Sequence, residues 1–174
     1  TLKYSGDATS YPAAYSVIDD TMLYSDGVDQ HQLYPGDANP VSSFQVYLSA
    51  AAAPLIPDIG KDYTMEVLDA STVTYAVISA LETNANDAIY ICCPCVPSKL
   101  NITMLTVNAV ASALSVAYWK DSFSAVAALS DGTALAGATF GKSGTISWTQ
   151  PTDMVPSFMF GISGFWIRLT VSVA

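Results

Sequence analysis

The C-terminal quarter of the chain leaves it few choices of fold. Phe165, Ile167, Leu169, Val171 and Val173 recur at every second position to the end, which is the period of a strand with one buried face. Ile146 and Trp148 alternate with Thr145, Ser147 and Thr149 in the same way. Two strands are therefore predicted. Between them Pro151 and Pro156 remove ladder donors and impose turn geometry, so the two are joined by a loop rather than a tight hairpin. A final strand this apolar must be covered, and no helical layer is legible to cover it. A second sheet packed face to face is the remaining solution.

Upstream the same alternation recurs. Phe44, Val46 and Leu48 mark a half-buried strand, and the alanine run 50–53 leads into Pro54-Leu-Ile-Pro57, which reads as a loop. Asp62–Leu68 and Thr72–Ile78 read as a hairpin turning at Asp69-Ala-Ser71, and Ser79–Asn86 is the best candidate for a helical turn. Asp87–Ile91, Lys99–Val107, Leu114–Trp119 and Phe123–Leu129 complete about seven to nine strands at spacings of about 8–12 residues, the signature of a sandwich or jelly roll. The segments 62–77 and 113–129 echo each other weakly, each a strand, a charged turn and a strand, as two hairpins of one architecture would. The expected fold is all-β: an antiparallel, jelly-roll-like β-sandwich over 41–174, preceded by an extended arm or extra strands over 1–40.

Composition bears on partners. The 174 residues suit one domain with extensions. Hydrophobic residues make up 51% and charged residues 12%, with 15 acids against six bases for a net charge of −9. That is a poor surface for an isolated monomer, and it points to a subunit whose flanks pack against neighbours. Nucleic acid is not an expected partner, because phosphate binding needs clustered cations. Lys3, Lys61, Lys99, Lys120, Lys142 and Arg168 are instead scattered singly. The chain begins at Thr1 and has no run of about 18 apolar residues, so neither a retained signal peptide nor a membrane span is expected. The reading is a soluble mature chain, or the processed form of a precursor.

Residues 1–40 set Tyr4, Tyr11, Tyr15, Tyr24 and Tyr34 among frequent turn signals and aspartates. Tyrosine gives contact area at low entropic cost, which suits an interface, though it is also ordinary sheet composition. Asp26 and Asp29 offer oxygens to calcium but lack the order of a dedicated loop.

Cys92-Cys93-Pro94-Cys95 admits four readings. They are buried thiols, a disulfide between subunits favoured by the odd count, a metal site, and a redox pair. The last two fit poorly: His31, the only histidine, is remote in sequence, and the spacing matches neither a zinc ribbon nor a redox motif. No metal or cofactor is expected. His31 has no nucleophile beside it in sequence, and the adjacent Asp19 and Asp20 would point apart on a strand. Phosphate loops, nucleophile elbows and metalloprotease motifs are absent. The expectation is that the protein is not an enzyme.

Tyr118-Trp119, Asp131-Gly132-Thr133, Ser143-Gly144-Thr145-Ile146-Ser147-Trp148, Pro151 and Gly164-Phe165-Trp166-Ile167-Arg168 follow one another in an order that resembles a β-sandwich, jelly-roll-like domain recurring in structural proteins of tailed bacteriophages. Phe165 stands where that pattern more usually has Tyr. The resemblance extends upstream to about Asp62 and contains no catalytic signature. It implies a virion subunit of the head or tail, such as a capsid decoration protein, acting through contacts with copies of itself or with other virion proteins. It also places the cysteines in a loop after Ile89-Tyr90-Ile91, with structural or inter-subunit roles.

Two alternatives stand beside it. One is a carbohydrate-binding module that stacks sugars on tryptophan. Trp148 is in phase with Ile146 and belongs to the core, whereas Trp166, out of phase with Phe165 and Ile167, is the candidate ligand or interface aromatic. The other is a secreted cell-surface filament whose N-terminal segment completes a neighbour's sheet.

Overall fold

Where large and small side chains alternate, strands form, and the longest of them lies inside its sheet. The computed structural model describes residues 14–18, 21–25, 30–33, 41–48, 60–68, 73–79, 81 and 87–173. The chain divides into Thr1–Asn39 and Pro40–Ala174. In the first unit β1 (Ala14–Ile18), β2 (Thr21–Ser25) and β3 (Gln30–Leu33) form an antiparallel meander, with Tyr24 opposite Tyr15 on one side and His31 on the other.

The second unit runs β4 (Ser43–Tyr47), β5 (Lys61–Asp62), α1 (Thr64–Leu68), β6 (Ala88–Cys93), β7 (Lys99–Ile102), β8 (Ser112–Trp119), β9 (Phe123–Ala125), β10 (Ala127–Asp131), β11 (Gly144–Thr149), β12 (Ser157–Met159) and β13 (Ile162–Val173). A large antiparallel sheet has the order β5-β4-β6-β13-β8-β9, with β12 added beside the start of β13; a small one has the order β10-β11-β7. Both contribute to one core, Ile89, Ile167 and Leu169 from the large sheet meeting Leu100, Ile146 and Trp148 from the small. The protein is therefore all-β, and this unit is an antiparallel sandwich. The two C-terminal strands lie in opposite sheets, β11 in the small and β13 in the large, so the proline-bearing loop between them is a crossing.

The hairpin expected over 62–78 does not form. The Asp62 carboxylate accepts the Thr64 N–H at 2.8 Å and the Thr64 hydroxyl at 2.5 Å, while Thr64 Oγ1 accepts the Phe44 N–H at 2.9 Å. This clasp ends the ladder after two residues of β5 and starts one helical turn, since a side chain that binds the backbone two residues on competes with strand pairing. Residues 73–78 keep part of their alternation, Ala76 and Ile78 packing on the core, but join no sheet. Most of the helical turn expected over 79–86 and the loop expected over 49–57 lie outside the described residues.

Asp131 makes a second clasp of the same form. Its Oδ1 accepts the N–H of Thr133 at 2.8 Å and its hydroxyl at 2.5 Å, and Thr133 Oγ1 accepts the Phe140 N–H at 3.1 Å. The other Asp131 oxygen accepts the Thr139 hydroxyl at 2.5 Å. The internal similarity of the chain thus lies in two Asp-x-Thr clasps. The paired hairpins expected from the echo are absent, because 62–77 holds a helical turn while 113–129 holds β8, β9 and part of β10.

Candidate functional site

The odd-numbered side chains of β13 from Phe165 to Val171 face the sandwich core, so Gly164, Trp166, Arg168 and Thr170 project from the outer face of the large sheet. That face carries a second core. Tyr90, Cys92, Trp119, Met159 and Trp166 are buried together there, with Phe123 and Phe160 packed against them. The cover is the β12–β13 hairpin, where Met159 pairs with Ile162. Its two central residues, Phe160 and Gly161, have φ of 50° and 81°, as a primed two-residue turn requires. Phenylalanine is costly in that conformation, but its ring lies 5.4 Å from Tyr90 and 5.5 Å from Trp166. A Cβ on Gly60 would stand 2.9 Å from the same ring.

This overturns the reading of Trp166 as a ligand or interface aromatic. It does face away from the main core, yet it is 0% exposed, and its indole N–H donates to the Ser157 carbonyl at 3.0 Å. Sheet alternation gives the side of a strand, not whether that side is wet, and a short hairpin covers this one. Trp119 and Trp148 are buried too, so none of the three tryptophans presents a ring for stacking on a sugar.

Beside the aromatic cluster runs a row fixed by register, polar over four strands and alanine over the last two: Asp62, Gln45, Tyr90, Arg168, Ala117 and Ala125 face one another across six strands. Gln45 and Tyr90 are buried. The Arg168 guanidinium lies over the Phe123 ring at 4.7 Å, and its Nε is buried with no hydrogen-bond partner. Burial raises the pKa of Tyr90, against the pull of the Arg168 charge beside it. Burial works to raise Asp62 as well, but hydrogen bonds from Thr64 and Gln45 outweigh it and hold that carboxyl below its usual range. The sequence marked Arg168 only as one of six scattered cations and within the resemblance. It is also the chain's single arginine, set in phase with Trp166.

The cysteines separate. Cys92 and Cys93 belong to β6 rather than to a loop, and both are buried on opposite faces of the sheet, Cys92 in the aromatic cluster and Cys93 in the main core. That removes both from an inter-subunit disulfide and leaves Cys95, half-buried in the following turn, as the sulfur nearest to solvent. Burial pushes Cys92 up to about 11, and burial together with the neighbouring thiols pushes Cys93 up to about 12. Their protons are held more tightly in the folded chain than in the unfolded one, so between the ordinary thiol range and these values the unfolded state is the one that loses protons. Stability is accordingly expected to be full below about pH 8.5 and to fall as pH rises toward 11–12. Urea midpoints at pH 7.5, 9 and 10.5 measure the slope, and Cys93→Ala should flatten it; equal slopes in parent and variant would contradict the assignment.

Tyr15 and Tyr24 lie on β1 and β2, while Tyr4, Tyr11 and Tyr34 fall outside the described residues, as do Asp26, Asp29, Asp19 and Asp20. Among the described residues no three His, Cys, Asp or Glu side chains gather as a metal site would need, and no helix is long and apolar enough to cross a membrane. Comparison with protein-family models, with curated proteins and with solved structures finds no match to this chain.

Proposed function

We propose that the protein is a non-enzymatic structural subunit of a tailed-phage particle, a head or tail component such as a decoration protein, that works through contacts with copies of itself or with other virion proteins. The observation that carries the assembly part of this reading is the amount of large apolar surface left outside two well-filled cores. Val73 is 80% exposed, Met65 78% and Phe158 67%, and Leu105, Val107 and Val110 are exposed along one stretch. With charged residues at only 12% of the chain, little remains to keep such surface apart from its like. The phage attribution rests on the resemblance, carried chiefly by residues 118–168, and the jelly-roll likeness on that resemblance together with the strand spacing. Light scattering of the purified chain, followed by electron microscopy, tests the reading. Closed oligomers or an ordered array on a capsid are expected. A monomer that neither self-associates nor binds phage particles would defeat it, and open filaments would transfer the case to a surface filament.

A further inference from the structure

The structure assigns a carboxylate-binding site to Arg168 on the outer face of the large sheet. With 15 acids and six bases, a cation in this chain has a wide choice of partners, and Lys120 takes one, Asp153 at 3.2 Å. That is the only ion pair among the described residues. Among the described residues Arg168 has no carboxylate within pairing distance, although it is half-buried and its Nε–H is enclosed without an acceptor. The acid in its own cross-sheet row, Asp62, is three strands away, about 14 Å at ~4.8 Å per strand. Asp62 is also already held by Thr64.

The surroundings fix the guanidinium without neutralising it. The Phe123 ring supports one face of the plane at 4.7 Å, a mode of stacking that arginine makes without spending its edge donors. The buried Tyr90 ring stands on the neighbouring strand. On the other side the cross-strand neighbours are Ala117 and then Ala125, and the next positions along the same outward face are Ser115 and Thr170. These are short side chains, and none of them carries a charge to pair with the arginine. A planar cation held by an aromatic face, with one N–H engaged by the Tyr90 hydroxyl and its Nε–H without an acceptor, has donors to spare for a carboxylate, which accepts N–H bonds from a guanidinium. The same chemistry has two sources, a small free carboxylate or an aspartate or glutamate of a second copy of this chain.

Because Arg168 is the only arginine, its Nε–H gives a single assignable NMR signal in the intact protein. Sodium acetate titrated against sodium chloride at equal ionic strength should shift that signal saturably while chloride leaves it in place. Ala117→Glu, which sets a carboxylate directly across from Arg168, should move the signal toward its acetate-bound position and abolish the response to acetate. Native mass separates the sources. If Arg168→Gln or excess acetate lowers the mass of an oligomer, the carboxylate comes from another copy; if the mass is unchanged while acetate still binds, it is a free ligand. An Nε–H signal that ignores acetate, in a chain whose native mass Arg168→Gln does not change, overturns the assignment and leaves the assembly proposal untouched.

Discussion

Replacing Trp166 with alanine is expected to lower the unfolding free energy by about 3–5 kcal/mol, the usual cost of deleting a large aromatic from a core. The melting temperature should fall by about 10 °C for a chain of this size. Three losses add up at this position. The indole is fully enclosed, so its removal leaves a cavity that the flanking strands cannot close. Its N–H satisfies the Ser157 carbonyl, and that acceptor would be stranded. Its ring also supports Phe160, whose left-handed backbone is held by that packing. Trp166→Phe should cost roughly half as much, since it keeps most of the apolar area. Urea denaturation of both variants is the measurement. A solvent-facing ligand aromatic would lose less than about 1 kcal/mol on truncation, so a parent-like midpoint for Trp166→Ala would return Trp166 to the surface and undo the second core.

The same residue shows what was legible in the sequence. Period-two patterning gave β4, β6, β8, β11 and β13 and correctly put Ile146 and Trp148 in the core, because a side chain's side of a strand follows from its parity alone. Parity does not say what lies above each side. The outer face of β13 is dry because a three-residue strand and a turn at Phe160-Gly161 fold onto it, and nothing local announces a turn with phenylalanine at positive φ.

The misreading of 62–68 has a related cause. Met65, Val67 and Asp62 fit a strand template, but the Asp62–Thr64 clasp prevails over propensity in so short a segment. Asp131-Gly132-Thr133 was recognisable as a turn and makes the same clasp, so an aspartate two residues before a threonine was the available signal for both. Arg168 was hidden for another reason: its interest lies in having no carboxylate beside it among the described residues, and what stands across a sheet is a matter of register, which the sequence leaves open.

Gly132→Ala is expected to destabilise the sandwich by about 3 kcal/mol, the upper end of overpacking costs, and more than the chemically identical change at Gly137. At Gly132 a Cβ would run into the backbone carbonyl of Thr145, and at Gly144 into that of Gly132. The backbone segments around these two glycines approach each other as closely as the missing side chains allow. The Gly132 N–H already donates to the Thr145 carbonyl at 3.0 Å. No rotamer change can relieve a clash with main chain, so the strand β11 must shift or the Asp131 clasp must open, freeing the buried Thr133 and Thr139 hydroxyls. Gly137 poses a different problem. A Cβ there meets nothing within 4 Å, but φ is +81°, so alanine pays only left-handed backbone strain of about 1–2 kcal/mol. Thermal unfolding of the two variants side by side measures the difference. Equal losses would mean that conformation alone governs both positions; a loss at Gly132 well above that at Gly137 would show that close backbone approach holds the small sheet to its turn.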